Sequence, residues 1–421
     1  MVGIDFGTTN SSIARCRDDA TVQLVSFPFL EGSTESYRSL LYLEKARQQG
    51  KSTLASWTGP EGIEHFLARE SPGRLIQSLK SFLTSRTLLT TEVFGVRVTI
   101  EELIARILRD LRQKAEKQFG APVTSAIAGR PVRFVGAETE ADNAYAEGRL
   151  RTAFQLAGFQ DVEFEFEPVA AAHFYESTLD HEELILIGDF GGGTSDFSLI
   201  RVGPRGRASA DLVGNAGVGI AGDAFDAKIV RHLVSPHLGA GTQMRSVGKT
   251  LPVPTWVYAK LERWHHLSFL KAKDTMNMLA SVRAQAMEPA KIEALIHLVN
   301  EDLGYSLHQA VQKTKCALSA AKSASFRLSD GAIEIDAVAK RSSFEKWIGE
   351  ELTAIETCVD SLLSGSGVQP NKVDKVFLTG GSSFVPAVRA IFESRFGADK
   401  IETGGEFTSV AQGLALKAHL R

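Results

Sequence analysis

The hydrophobic positions fall into short apolar runs that alternate with longer stretches of helical spacing. Residues 1–15 read as a strand, a Gly-Thr-Thr turn and a second strand at 12–15. Residues 28–95 are mixed and polar, broken by Gly59-Pro60 and Ser71-Pro72-Gly73, and 74–83 has the spacing of a helix. Across 99–119, Leu103, Ile107, Leu108 and Leu111 mark one face of a helix, and Thr99 with Glu102 is a capping-box signature. A strand at 122–128 precedes a helix at 138–157 that Gly158 should close. Residues 163–166 then lead into "EPVAAAHFYES", a strand end opening into an alanine-rich helix.

The scheme then restarts. Residues 184–189 predict a strand, the glycine triplet a turn, and 197–202 a returning strand. Gly203-Pro204-Arg205-Gly206 reads as a hairpin turn into a third strand near 209–213. From about 223 to 324 the pattern is mainly helical, with a loop expected over 236–254. A strand at 333–338, a helix at 344–363 and a short strand at 375–378 ending in "TGGSS" follow. Two halves that each begin strand–turn–strand predict an internally duplicated α/β protein.

Composition narrows the class. A chain of 421 residues exceeds one ordinary core, and 43% hydrophobic with 23% charged residues is a globular balance. Lys plus Arg number 47 against 50 Asp plus Glu, a net charge of −3, and no basic run stands out. Nucleic acid and membrane are therefore not expected partners. Three widely spaced cysteines, Cys16, Cys316 and Cys358, without a CxxC pair, fit free thiols and a cytoplasmic setting.

The chemistry concentrates at two similar turns, "MVGIDFGTTNS" at the start and "LILIGDFGGGTSDFS" at 184–198. Glycine-rich strand ends present backbone N–H groups to phosphate without obstruction. Thr8, Thr9, Ser11, Thr194 and Ser195 add hydroxyls. Asp5, Asp189 and Asp196 would repel an anion unless a cation lies between, and Mg²⁺ is commonly held by one or two carboxylates and several waters. The pair of turns thus predicts a Mg-nucleotide cleft between two domains. Gly217-Val218-Gly219-Ile220-Ala221-Gly222 matches GxGxxG, but helix continues where the second strand of a dinucleotide fold should come. Those glycines are expected instead to bring backbone near the second phosphate turn. His265-His266 beside Trp264 lacks partners at metal-ligand spacing and reads as surface or packing histidine.

Five segments, "GIDFGTTNS", "DFGGGTSDFS", "FEPVAAA", "GIAGDAFD" and "LTGGSSFVP", stand in the order of the Hsp70 ATPase domain. The chain resembles that family, of the actin–hexokinase–Hsp70 superfamily, over nearly its whole length. The resemblance implies a duplicated actin-like, ribonuclease H-like α/β fold with two lobes around a nucleotide cleft. Lobe I would take residues 1–180 with an insertion at about 29–95. Lobe II would take 181–421 with a mainly helical insertion at about 227–311.

It also implies ATP or ADP with Mg²⁺, and K⁺ as a candidate second ion. Asp5 and Asp189 would hold the waters around Mg²⁺; Gly7, Thr8, Thr9, Asn10 and Gly191, Gly192, Gly193 and Thr194 would cradle phosphates. Glu167 and Asp196 would flank the attacking water, and Lys80, in "SLKSFLTSR", would orient it with the γ-phosphate. Gly222, Asp223, Gln312, Lys315, Ser319, Gly380, Gly381, Ser382 and Phe384 would line the nucleoside side. There the chain departs from the family: Gln312 replaces a Glu, Cys316 an Arg, and Phe384 an Arg that stacks on the base. The expected activity is slow Mg-dependent ATP hydrolysis driving lobe motion, in a chaperone or chaperone-related regulator. Its partner would be a protein client or cochaperone, and the chain's end at Arg421 would leave no room for a peptide-binding domain. Alternative readings on the same fold are an actin-like nucleotide-dependent scaffold and a small-molecule kinase or phosphatase.

Overall fold

The computed structural model describes residues 1–29, 32–48, 51–68, 73–176, 179–204, 211–263, 267–402 and 409–419. The His265-His266 pair and Trp264 lie outside them, as does part of the 203–206 turn.

The duplication is visible in strand order. In one sheet, Asp161–Phe166, Ser125–Arg130, Val2–Phe6, Asn10–Cys16 and Val22–Leu24 lie side by side in that order. In the other the order is Ile401–Glu402, Lys375–Thr379, Glu183–Phe190, Ser195–Val202 and Asp211–Val218. Both run parallel, parallel, antiparallel, antiparallel from the first-named edge. Each half therefore places its opening hairpin beside a strand that arrives later in the chain, the expected α/β duplication.

The two halves are locked together by alanine. Helix Glu167–Glu176 packs on the second sheet, where Val169 and Ala172 join Ile185, Ile187, Ile200 and Val202. Helix Ser409–His419 lies on the first sheet, with Ala411 and Ala415 against Ala14 and with Leu414 against Ile127 and Ala170. Small side chains let backbones approach closely. A Cβ on Gly3 would fall 2.4 Å from the Ala415 nitrogen and 2.5 Å from the Ala411 oxygen, so glycine is required there for steric rather than conformational reasons.

Capping was legible. Thr99 and Glu102 form the reciprocal box on helix Ile100–Phe119, and Leu103, Ile107, Leu108 and Leu111 are fully buried on it. Gly158 closes Glu140–Ala157 in the left-handed conformation, φ 100°. Elsewhere the structure corrects the reading. Residues 74–83 are not a helix: Gly73–Gln77 is a strand antiparallel to Leu40–Gln48, and a 3-10 turn, Leu79–Phe82, follows. Ser78 between them has φ 57°, which a helix interior does not accept. The mixed stretch 28–95 contains a three-stranded sheet, Lys51–Thr58, Leu40–Gln48 and Gly73–Gln77, and a helix, Gly59–Leu67. The loop expected at 236–254 holds a hairpin, Gln243–Ser246 with Lys249–Pro252. The helical stretch ends at Ala320, and Ser323–Asp330 pairs with Ile333–Lys340.

The chain forms two compact units. One comprises Met1–Gly219, Ile355–Ser383 and Ile391–Arg421; the other comprises Ile220–Ala354 and Phe384–Ala390. Both core sheets belong to the first.

Candidate functional site

Within the first unit, equivalent strands of the two sheets each carry an aspartate near the carboxyl end. Asp5 pairs in register with Ser12, and Asp189 with Asp196. Directly opposed residues of an antiparallel pair project to the same face, so Asp189 and Asp196 share one side of their sheet. The neighbouring parallel strand brings Thr379 level with Asp189, and its hydroxyl donates to Asp189 Oδ1 at 2.9 Å. On Asp196's other side is Gly217, whose added Cβ would lie 2.6 Å from Asp196 Oδ1. The GxGxxG segment thus supplies close backbone at the second turn, as expected; the helix Gly222–Ile229 follows it, and no parallel strand pairs with Asp211–Val218 among the described residues.

Lys80 and Glu167 complete the cluster. Lys80 sits on the 3-10 turn after Ser78, and Glu167 begins the alanine-rich helix at the end of Asp161–Phe166. The Lys80 ammonium donates to Glu167 Oε1 at 2.6 Å, with the side chains 7% and 12% exposed. One cation thus faces four carboxylates. Burial, then repulsion from Glu167, holds Asp5 well above the ordinary carboxylate range, with Lys80 opposing and Asp189 adding to the shift. Burial and Glu167 push Asp189 up to about 6, against the pull of the Thr379 hydrogen bond and Lys80. Asp196 rises to about 8 through burial and then repulsion from Asp189 and Glu167, with Thr194 and Lys80 opposing. Asp196 Oδ1 is buried without a hydrogen-bond partner among the described residues.

This is an electrostatically incomplete arrangement. Unpaired buried carboxylates are costly, and a cation relieves that cost. Among the described residues no three or more His, Cys, Asp or Glu side chains converge as a direct ligand set. The excess of carboxylates over the one Lys80 ammonium suits a hard cation that keeps most of its waters, which is the habit of Mg²⁺.

The turns beside the cluster are open. Gly7, Thr8, Thr9, Asn10 and Gly192, Gly193 and Thr194 are partly exposed, and Gly191 is exposed. A Cβ on Gly7 would meet the Asn10 oxygen at 2.2 Å. The Gly191 N–H donates to the Thr194 carbonyl at 2.9 Å and closes the second turn. Asn10 Oδ1 accepts from Arg38 at 3.2 Å. Ser11 and Ser195 are buried, Ser11 against Ser39 at 2.8 Å, and do not add hydroxyls to the turns. Gly380 has φ 83° and lies so close to the Phe190 carbonyl that a Cβ would be 2.1 Å from it; Gly381 is exposed and Ser382 buried.

The second unit holds most of the expected nucleoside-side residues. Lys315 is buried and pairs with Asp226 at 2.8 Å, while donating to the Gly222 carbonyl at 3.4 Å. Gln312 also donates to Asp226. Burial raises the Asp226 carboxyl, against the opposing pull of Lys315. The Ser319 hydroxyl is turned back onto the Lys315 carbonyl at 3.2 Å. Asp223 is partly exposed at the first turn of Gly222–Ile229, and Phe384 is 48% exposed. Asp226 is the residue sequence reasoning missed; the second acid of "GDAFD", on the buried side of its helix, is the signal that could have found it. Thr379 was missed too, because only strand register reveals its place beside Asp189.

A family model described as "Hsp70 protein" matches residues 73–242 and 282–421. The chain is 26% identical over 422 residues to the chaperone protein DnaK of Thermosipho africanus, covering 99% of this chain and 58% of that protein. It is also 26% identical over 428 residues to the chaperone protein DnaK of Thermus thermophilus, covering 99% of this chain and 60% of the relative. The chain thus spans about three fifths of the length of the curated relatives it matches.

Proposed function

The chain belongs to the Hsp70 family, and from that premise we propose that it is a chaperone-type nucleotide-binding protein that takes ATP or ADP with Mg²⁺ and hydrolyses ATP slowly. The observation that carries the reading is the buried Lys80–Glu167 pair set among Asp5, Asp189 and Asp196 at the ends of duplicated strands. In this reading Asp5 and Asp189 hold the hydrated metal, which supplies neutralisation of the phosphate charge. The amides at Gly192–Thr194, in the turn that the Gly191 N–H closes, and the hydroxyls of Thr8 and Thr9 bind the phosphate oxygens. Lys80 keeps its charge directed at the transferring phosphoryl group because Glu167 fixes its ammonium. Glu167 and Asp196 orient the attacking water and accept its proton. Phosphoryl transfer depends mainly on such placement and charge stabilisation.

The reading includes two lobes dividing near residue 180, with insertions at about 29–95 and 227–311, whose relative motion follows hydrolysis and signals to a protein client or cochaperone. On the nucleoside side, Asp226 engages Lys315 and Gln312, and Phe384 offers an aromatic face without a guanidinium. Weaker discrimination among bases follows. No helix among the described residues is long and apolar enough to cross a membrane.

Calorimetric titration with ATP and ADP, with Mg²⁺ and with excess EDTA, tests the proposal. Stoichiometric binding that needs Mg²⁺ is expected. Absence of binding at millimolar nucleotide would refute it.

A further inference from the structure

We infer that Arg149 is a positioning residue for Lys80. It acts from helix Glu140–Ala157, and its side chain is 6% exposed. Its Nη1 donates to three successive-segment carbonyls: Phe82 at 3.1 Å, Leu83 at 3.2 Å and Ser85 at 3.0 Å. Its Nε donates to Glu101 Oε1 at 2.5 Å, and the Tyr145 ring lies 5.7 Å from the guanidinium carbon. Those carbonyls belong to the end of the short turn that carries Lys80 and to the residues just after it.

A 3-10 turn of four residues is weakly self-supporting. The Leu83 N–H reaches back to the Lys80 carbonyl at 3.3 Å, a long bond. Before the turn stands Ser78 in the left-handed region, so the chain enters it under strain. Polar anchors after it include the Ser85 N–H on the Phe82 carbonyl, 3.1 Å, the Thr84 hydroxyl on the Val135 carbonyl, 2.7 Å, the exposed Arg86–Asp142 pair, 3.3 Å, and the buried Arg149 fork. Glu101, in the first turn of Ile100–Phe119, fixes the fork in turn. Glu101 is held below its ordinary range: burial works against this, but the Arg149 hydrogen bond and charge outweigh it. Arg149 thus ties the Lys80 turn to two long helices, and the ammonium meets Glu167 because the turn is held in place.

The inference rests on the ATPase reading only for its catalytic consequence, so the experiment has two readouts. The first is the rate at which an amine-acylating reagent labels Lys80, resolved by peptide mass spectrometry in the full chain. Lys315, buried in the other compact unit, serves as the control. Arg149→Met should raise Lys80 labelling at least tenfold and leave Lys315 unchanged, with Arg149→Lys intermediate because lysine restores one charged donor. Lys80 labelling within twofold of wild type in Arg149→Met overturns the inference. If Lys315 labelling rises as well, the variant is unfolded, and Arg149→Lys then decides: raised Lys80 labelling supports the inference and wild-type labelling overturns it.

The second readout is steady-state ATP turnover. A displacement of the Lys80 ammonium by about 1 Å should lower kcat on the order of 100-fold with KM little changed. In a Lys80→Met background the Arg149 substitution should then have no further effect on kcat. A full additive loss there overturns the claim that Arg149 acts through Lys80. Lys80 deprotection without any wild-type turnover would instead sink the ATPase reading and leave the positioning role standing.

Discussion

Replacing Asp196 with Asn should change how many protons the chain releases when it binds Mg-ADP. With its carboxyl at about 8, Asp196 carries a proton in about nine molecules in ten at pH 7. Asp189, at about 6, carries one in about one in ten. A cation among these groups favours their ionised forms, so binding expels the protons they hold. The Asp196→Asn chain should release about 0.9 fewer protons per site than wild type at pH 7. The sign follows from the raised acid: the protonated form dominates below about 8, and metal-nucleotide affinity climbs as pH rises through that value. At pH 9 the difference should shrink to about 0.1 proton. Isothermal titration in buffers of different ionisation enthalpy gives the number directly, from the slope of observed heat against buffer heat. Equal proton release by the two chains at pH 7, or a difference that grows at pH 9, would refute the electrostatic account of the cluster.

Other consequences can be measured separately. Gly7→Ala should lower nucleotide affinity by about tenfold or more, because its methyl group would overlap the Asn10 backbone oxygen and force the turn to shift; fluorescent ADP titration checks it. Thr379→Val removes a hydrogen bond to a buried carboxylate, worth about 1.5–3 kcal/mol. The pH dependence of Mg-ADP affinity should move upward by about one unit or more, since Asp189 then ionises later. Lys417→Met should weaken the fold at neutral pH. Burial works to raise the Glu165 carboxyl, but hydrogen bonds from His173 and Lys417 and the Lys417 charge draw it down to about 2. That stability is present above the ordinary pKa of 4.5 and is lost as pH falls toward 2. With solvent screening allowed for, about 1–2 kcal/mol should separate the chains in urea at pH 7 and vanish near pH 2.

The parts of the fold that were legible share one property: the local signal and the tertiary requirement coincide. Thr99 with Glu102 caps its helix through its own neighbours, and Gly158 ends another by its own backbone conformation. The strand–turn–strand openings were readable because strands buried on both faces are written as continuous apolar runs. The reading failed where packing decides. Leu75, Ile76, Leu79, Phe82 and Leu83 have helical spacing, yet Gly73–Gln77 is half-buried on both faces and carries no alternation. Its strand state comes from the partner Leu40–Gln48, many residues away. The missed hairpin Gln243–Ser246 with Lys249–Pro252 is a short ribbon whose pairing adds little periodicity. In the site, Lys80, Glu167, Asp5, Asp189 and Asp196 could be singled out as residues of consequence. Thr379 and Arg149 could not, since one matters through register and the other through backbone carbonyls that no residue name reveals.

The shared strand order of the two sheets bears on the orientation of any ligand they hold. A duplicated grip with identical halves would be blind to direction and could accept a phosphate chain either way round. The halves differ at matched places, among them this one: opposite Asp5 stands Ser12, and opposite Asp189 stands Asp196. A hydroxyl on one side and a second carboxylate on the other give the grip a polarity. The repeat supplies two similar hands, and unlike pairs of this kind would tell a bound phosphate chain which end is the head.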